Sequence, residues 1–342
     1  MNARRILLLL VVLAVVAGGA FFFRSSFQKS AATREFEFVF LARIPELPPE
    51  AKNVRVWIPL PPTNDQQEIR ELTVESPVVF ERHREPEYGN QYLYWEGPAA
   101  ELPRPVEVIL RFRILRREYR VALERGPGHV VAAARPEEML ERFLQPDRLV
   151  PTGGLIAQLA EQATRGRTEP LEKARAIYDY VVSTMRYDKS GEGWGRGDAI
   201  YACNAKQGNC TDFHALLIGM MRAAGIPARF EIGFPLPPDQ SEGEIGGYHC
   251  WAQFYVEPYG WIPVDASEAW KQPEKREYFF GAHDQNRVLF TLGRDIQLNP
   301  AQEGEPLNYF IYPYVEVDGQ PLPEVETRFH FRDLAASTAA PN

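Results

Sequence analysis

Cys210, His249 and Asp265 are the residues through which this chain could do chemistry most directly. Cys210 stands in GNCTDFHALL, after a glycine and an asparagine and ahead of an apolar run with helical spacing. A thiol attacks as its thiolate, and a free cysteine titrates near pH ~8.5. The start of a helix eases ionisation through its unpaired N–H groups and the positive end of its dipole. A base must then exchange the proton, and a third group must orient that base. Six histidines are available. His83 and His129 belong to the strand-rich first half or its edge, His330 to the C-terminal strands and His283 to a loop. His214 follows Cys210 by four residues, on roughly the same helix face. From there it points past the cysteine and reads as a hydrogen-bonded packing residue. His249 opens a strand after a glycine-rich loop, where a side chain meets a cleft, and is the candidate base. Asp265 ends the next strand and is the candidate orienting acid. If 257 and 261 flank a three-residue turn, Asp265 sits opposite Gln253. His249 and Asp265 then stand about four residues, roughly 13 Å, apart along the strands. A bulge or an offset has to close that gap.

The other candidates carry competing readings. Three cysteines leave at least one thiol unpaired within the chain. Cys250 alternates with His249 along a strand and so points to the opposite face, as a core residue. A Cys203–Cys250 disulfide is also open, and would leave Cys210 as the free thiol. Cys203, Cys210 and His249 show neither C-x-x-C nor H-x-x-x-H spacing, so no metal is expected, and no cofactor either. Gln207, three residues before Cys210, is either a side-chain donor to an oxyanion or a solvated loop glutamine. Asp212 reads as support for the first helical turn. The loop over 188–207 contains GEGWGRGD, but no strand enters it and no lysine closes it, so it is not a phosphate loop. Trp194 within it is a lid candidate.

The elements that must hold these residues follow from periodicity. Alternation of Phe36, Phe38 and Phe40 predicts a strand, and further strands are expected over 54–58, 72–80, 91–95, 106–114 and 118–124. Turn residues separate them, which predicts a β-sandwich-like domain over 34–125. A helical connector is expected over 126–165, with helices at 137–145 and 153–164. Leu171 to Met185 has helical spacing, and so does Phe213 to Ala224, which Gly225-Ile226-Pro227 should end. Strands are then expected at 228–234, 248–257 and 261–267. Asp318-Gly319 between two apolar runs predicts a C-terminal β-hairpin within 301–334, followed by a disordered tail at 335–342.

Three segments in order, GNCTDFHALLIGMMRAAGIPAR, GYHCWAQFYV and GWIPVDAS, resemble the transglutaminase-like superfamily over about 160–300. The resemblance implies an α+β fold with a papain-like core, in which the cysteine's helix packs on an antiparallel sheet, here over 166–300 and preceded by the β-rich domain. It matches Cys210 to the nucleophile, His249 to the base and Asp265 to the orienting acid. The implied activity is acyl transfer on an amide through a thioester, with hydrolysis preferred to crosslinking because water is always present. A peptide, a protein or a peptidoglycan-type amide would serve as substrate. The alternative is a binding module that keeps the fold without the chemistry. A thiol redox protein is disfavoured because no paired cysteine motif lies nearby.

The remainder of the 342 residues sets the context. A net charge of −8 with scattered Lys and Arg argues against nucleic acid as a partner. With 45% hydrophobic and 25% charged residues, the composition is that of a globular protein. At the N-terminus, Arg4 and Arg5 precede an apolar run from Ile6 to Phe23, at the lower edge of the ~17–25 residues that span a bilayer. Residues 1–30 therefore read as a membrane anchor or a signal segment. The run ends in Phe21-Phe22-Phe23 rather than in small residues, which favours the anchor. Positive-inside bias then places the bulk of the chain outside the cytoplasm, on an inner-membrane anchor. Oligomeric state is not legible.

Overall fold

The computed structural model describes residues 31–103, 105–123, 137–323 and 325–334, without the side chains of 137–139. The strand-rich first half contains Thr33–Ile44 (β1), Asn53–Leu60 (β2), Gln67–Glu75 (β3), Glu81–Arg84 (β4), Gln91–Pro98 (β5) and Val106–Arg117 (β6). The alternation in β1 puts Phe36, Phe38 and Phe40 on its buried face. The strand expected over 72–80 is formed only as far as Glu75, the end of β3, and β4 lies beyond it at Glu81–Arg84. The break falls at Ser76-Pro77, where proline has no N–H to give to a ladder. Then come the helices Glu137–Arg142 (α1), Gly154–Ala163 (α2), Pro170–Thr184 (α3), Ala199–Ala205 (α4) and Cys210–Ala223 (α5). The last part holds Ala228–Pro235 (β7), Glu242–Glu244 (β8), His249–Val256 (β9), Gly260–Val264 (β10), the short helix Ala266–Lys271 (α6), Arg287–Leu292 (β11), Tyr314–Val317 (β12) and Glu326–Asp333 (β13).

Three antiparallel sheets of four or five strands result, beside two short two-stranded pairings. One has the order β8-β13-β1-β6-β3, and a second runs from residues 320–321 through β12-β2-β5-β4. The third, β10-β9-β7-β11, faces α5. Within it β7 and β11 approach closely at Gly233. A Cβ there would lie 1.8 Å from the Val288 carbonyl oxygen, so only glycine fits.

The C-terminal strands do not form the hairpin expected over 301–334. Asp318 and Gly319 do make a tight turn with positive φ, but the returning strand is only Gln320–Pro321. β12 adds to β2, and β13 crosses to the other sheet and pairs with β1. Packing explains the crossing. Phe329 and Phe331 alternate onto one face of β13 and align with Phe40 and Phe38 of β1, and the Phe40 and Phe329 rings lie 4.7 Å apart. The sheets of 34–125 are thus completed by residues 314–333. They also share a core with the helix-bearing part. Phe38 stacks on Phe112 and meets Phe234 of β7 and Phe290 of β11. Mixed α+β architecture with a strand-rich N-terminal region is the outcome. Ile6–Phe23, residues 335–342 and His129 lie outside the described residues. No described helix is long and apolar enough to cross a membrane.

Candidate active site

The helix α5 is apolar on every side, and from Cys210 to Arg222 each residue is buried, as expected of a central helix. Its ends are set by local chemistry. Gly225, with a φ of 78°, ends it, and the N–H of Ile226 returns to the Met221 carbonyl. At the start, the Asn209 side chain accepts from the Thr211 N–H at 2.9 Å, and the Asp212 carboxylate accepts from the Asn209 N–H at 2.9 Å. Cys210 is therefore the first residue of a well-capped helix, 2% exposed. Asp212 does more than support the turn. It also accepts from the N–H groups of Gly195 and Gly197, which pins the glycine-rich loop to the helix start. Gly208 leaves room for it, since a Cβ there would lie 2.3 Å from the Asp212 carboxylate. Trp194, the lid candidate, donates to Gly191 within the same loop. Replacing Asp212 with alanine leaves several buried N–H groups unpaired, each worth about 1–3 kcal/mol. We expect a stability loss of at least about 2 kcal/mol in urea titration, with the midpoint moved and the slope kept.

His249 opens β9. The β9–β10 register differs from the expected one by two residues. Gly260 pairs with Val256 and Val264 with Ala252, so the three-residue turn falls one residue earlier, at 257–259, and Asp265 follows opposite Trp251. The expected four-residue gap shrinks to two, and the side chains span it. His249 Nε2 lies 2.8 Å from Asp265 Oδ2. With Nε2 committed to the carboxylate, Nδ1 is the nitrogen left for the Cys210 sulfur, and His249 and Cys210 influence each other's ionisation. β10 pairs only as far as Ala252, which leaves His249 and Cys250 uncovered on that edge of β9 and open to the start of α5.

Asp265 is the hub, with no exposure to solvent. Its Oδ1 caps α6 by accepting from the Glu268 N–H at 3.0 Å and takes the Ser267 hydroxyl at 3.1 Å. The guanidinium of Arg287 reaches Oδ2 at 3.3 Å and lies 4.8 Å over the Trp251 ring. Burial works against its charge, but the His249 imidazolium, first, and the Arg287 guanidinium hold the carboxyl well below the usual carboxylate range. Arg287 has no place in any of the three sequence motifs and was not anticipated. Burial alone would push His249 down, yet Asp265 and the Cys210 sulfur raise it to about 10. The Cys210 thiol is held well below its usual range, first by a hydrogen bond with Cys250 and then, against burial, by His249 and the Cys250 N–H. The resting pair is thiolate and imidazolium.

His214 is the packing residue expected of it. The Ala266 N–H donates to its Nε2 at 3.2 Å, so Nδ1 carries the proton and donates to the Cys210 carbonyl at 2.8 Å. Burial lowers its pKa and keeps it neutral. Cys250 is in the core as expected, on the face away from His249, but it also touches Cys210. Cys203, Cys210 and Cys250 are all free thiols, so the Cys203–Cys250 disulfide is absent. Gln207 does not serve Cys210. Its amide nitrogen donates to the Ser190 carbonyl at 3.4 Å and its oxygen accepts from Arg186 at 2.8 Å. A cleft of about 470 Å³ opens beside His249, bordered by Ile245, Gly246, Gly247, Glu268 and Arg287.

A helix-borne cysteine is thus set against a histidine at the start of one antiparallel strand and an aspartate just past the end of the next. Residues 157–266 match the family model of the transglutaminase-like superfamily, and the chain carries a transglutaminase-like domain there. Over 307 residues it is 29% identical to an uncharacterized protein of Haemophilus influenzae, covering 78% of this chain and 81% of that one. Over 148 residues it is 24% identical to the uncharacterized protein YebA of Bacillus subtilis, covering 39% of this chain and 20% of YebA. It shares its fold with a crystal structure described as a "Putative Cysteine Protease" from Cytophaga hutchinsonii. The TM-score is 0.57 at 13% identity, covering 91% of this chain and 94% of that one.

Proposed function

We propose that the chain is a cysteine-dependent acyl-transfer enzyme acting on amide bonds, with hydrolysis as its main outcome. The observation that carries this reading is the relay from buried Asp265 through His249, 2.8 Å away, to a thiol at a helix start. The Cys210 thiolate adds to the amide carbonyl carbon. The Cys210 N–H, left over by the Asn209 cap, and the Cys250 N–H are the candidate donors for the oxyanion. Collapse of the adduct breaks the C–N bond, and the His249 imidazolium gives its proton to the departing amine. His249, now neutral, takes a proton from water, which attacks the thioester and releases the acid and the thiolate. The open cleft beside His249 supports water as the acceptor, with peptides, proteins or peptidoglycan-type stems as the substrate class. The N-terminal apolar run supports an inner-membrane anchor with the domain outside the cytoplasm.

The test is acyl trapping. A panel of peptide amides and glutamine-containing peptides is mixed with the chain, quenched in acid and weighed intact. A mass gain of one acyl group on Cys210, absent in Cys210→Ala, is the expected result. Release as free acid in the presence of added methylamine identifies hydrolysis, and release as methylamide identifies transfer. Turnover that persists in Cys210→Ala overturns Cys210 as the nucleophile, and no acyl adduct or release from any member of the panel leaves a binding module of the same fold.

A further inference from the structure

Acyl transfer needs one thiol, yet two buried thiols meet in this site. Cys250 is wholly buried on β9, and its Sγ lies 3.7 Å from Nδ1 of His214, the nitrogen that donates to Cys210's own carbonyl at 2.8 Å. Cys250 therefore lies over the first turn of α5, where its sulfur and that of Cys210 influence each other's ionisation. Nothing in the acyl-transfer scheme uses the Cys250 sulfur. An alanine or valine would fill the same strand position among Ala252, Phe254 and Val256. The third thiol, Cys203, is only half-buried, on α4.

We propose that Cys250 is the resolving thiol for oxidation of Cys210, so that a hydroperoxide converts the nucleophile reversibly into an intrachain Cys210–Cys250 disulfide. The steps balance. The Cys210 thiolate attacks the distal oxygen of the hydroperoxide and breaks the O–O bond. It becomes a sulfenic acid, and the alkoxide or hydroxide released takes a proton from His249. The Cys250 sulfur attacks the sulfenic sulfur, and the hydroxide it expels takes the Cys250 thiol proton and leaves as water. Two electrons pass from the two thiols to the peroxide. A small thiol reductant reverses the change by exchange. The order of events is set by the surroundings: Cys210 rests ionised, while burial and the neighbouring thiolate hold Cys250 protonated well above its usual range. The disulfide blocks acyl transfer and shields Cys210 from the irreversible sulfinic and sulfonic acids.

The experiment reads mass rather than turnover, so its failure leaves the acyl-transfer reading untouched. The full chain is treated with hydrogen peroxide at stoichiometric and tenfold amounts, alkylated, and digested without reduction. In the native chain we expect two of the three thiols to become unreactive together. A linked peptide joining Cys210 to Cys250 should appear, lighter by two hydrogens than its parts, and a thiol reductant should restore both thiols. In Cys250→Ala the linked peptide is absent, and Cys210 runs on to sulfinic and sulfonic acid at the same peroxide dose. The proposal is overturned if Cys210 of the native chain reaches sulfinic acid while Cys250 stays alkylatable. It is equally overturned if the bond formed joins Cys210 to Cys203 or to another chain.

Discussion

Asp265→Asn should reduce kcat/KM by about 10⁴-fold, through kcat, while the chain still folds. Two roles meet in this carboxylate, and asparagine separates them. As the cap of α6, Asp265 accepts from the Glu268 N–H. Asparagine caps about as well, so that helix survives the exchange. As the partner of His249 Nε2, it fixes which ring nitrogen carries the proton. An amide turned to donate there would leave Nε2 unprotonated and put the proton on Nδ1, the nitrogen that faces Cys210. The ring could then no longer act as a base toward the thiol. Stability falls as well, by about 3–5 kcal/mol, because Arg287 and the imidazolium lose their buried counter-charge. That loss depends on pH in a definite direction. The native carboxylate titrates well below an ordinary one. Its contribution is complete above the unfolded value of ~3.9 and fades as pH falls through the folded value. Urea midpoints of the native chain and Asp265→Asn should therefore lie far apart at neutral pH and converge in acid. Parallel midpoints at all pH values would mean that Asp265 acts as a cap alone. Asp265→Ala removes the cap too and should cost about 1 kcal/mol more.

Much of this arrangement was legible along the chain, and the failures share a cause. α5 could be read because helical spacing, a capping asparagine and Gly225-Ile226-Pro227 all agree. β1 could be read because its phenylalanines alternate. Both signals lie within one segment. What could not be read depends on where two segments align. The turn between β9 and β10 lies one residue earlier than assumed, and the two residues of register this shifts decide whether His249 meets Asp265. The alternation rule put Cys250 on the face away from His249, which is correct. It could not say that α5 would begin against the uncovered edge of β9, where both side chains reach one sulfur. β13 was assigned to a local hairpin because Asp318-Gly319 is a strong turn signal. The signal was answered by two residues, while Phe329 and Phe331 found a better surface on β1. Arg287 lies 22 residues beyond Asp265 and in no motif, and only the folded sheet brings it to the carboxylate. Gln207 failed for the opposite reason: its distance from Cys210 in sequence was right, but Arg186 and Ser190 hold its amide.

The second large effect is a separation between thiol reactivity and turnover at high pH. A thiolate–imidazolium pair has two limbs, which belong to the pair rather than to either residue. On the acid side, protonation of Cys210 ends both alkylation and acyl transfer. Because the thiol is held well below its usual range, iodoacetamide should label Cys210 well below pH ~8.5. On the alkaline side His249 loses its proton at about 10. The thiolate is still there, so alkylation should persist or rise. The imidazolium that protonates the departing amine is gone, so kcat/KM should fall about tenfold per pH unit. In His249→Ala the labelling midpoint should move up toward the ordinary thiol, though only part of the way. The hydrogen bond with Cys250, its N–H and the start of α5 remain, and the first of these is the largest influence on the sulfur. Cys250→Ala should also raise the midpoint, with turnover less affected because the proton donor is intact. If labelling and turnover instead decline together above pH 10, one group governs both and the paired-ion description fails. If His249→Ala leaves the labelling midpoint where it was, the thiol owes its reactivity to Cys250 and the helix alone, and His249 has no part in activating it.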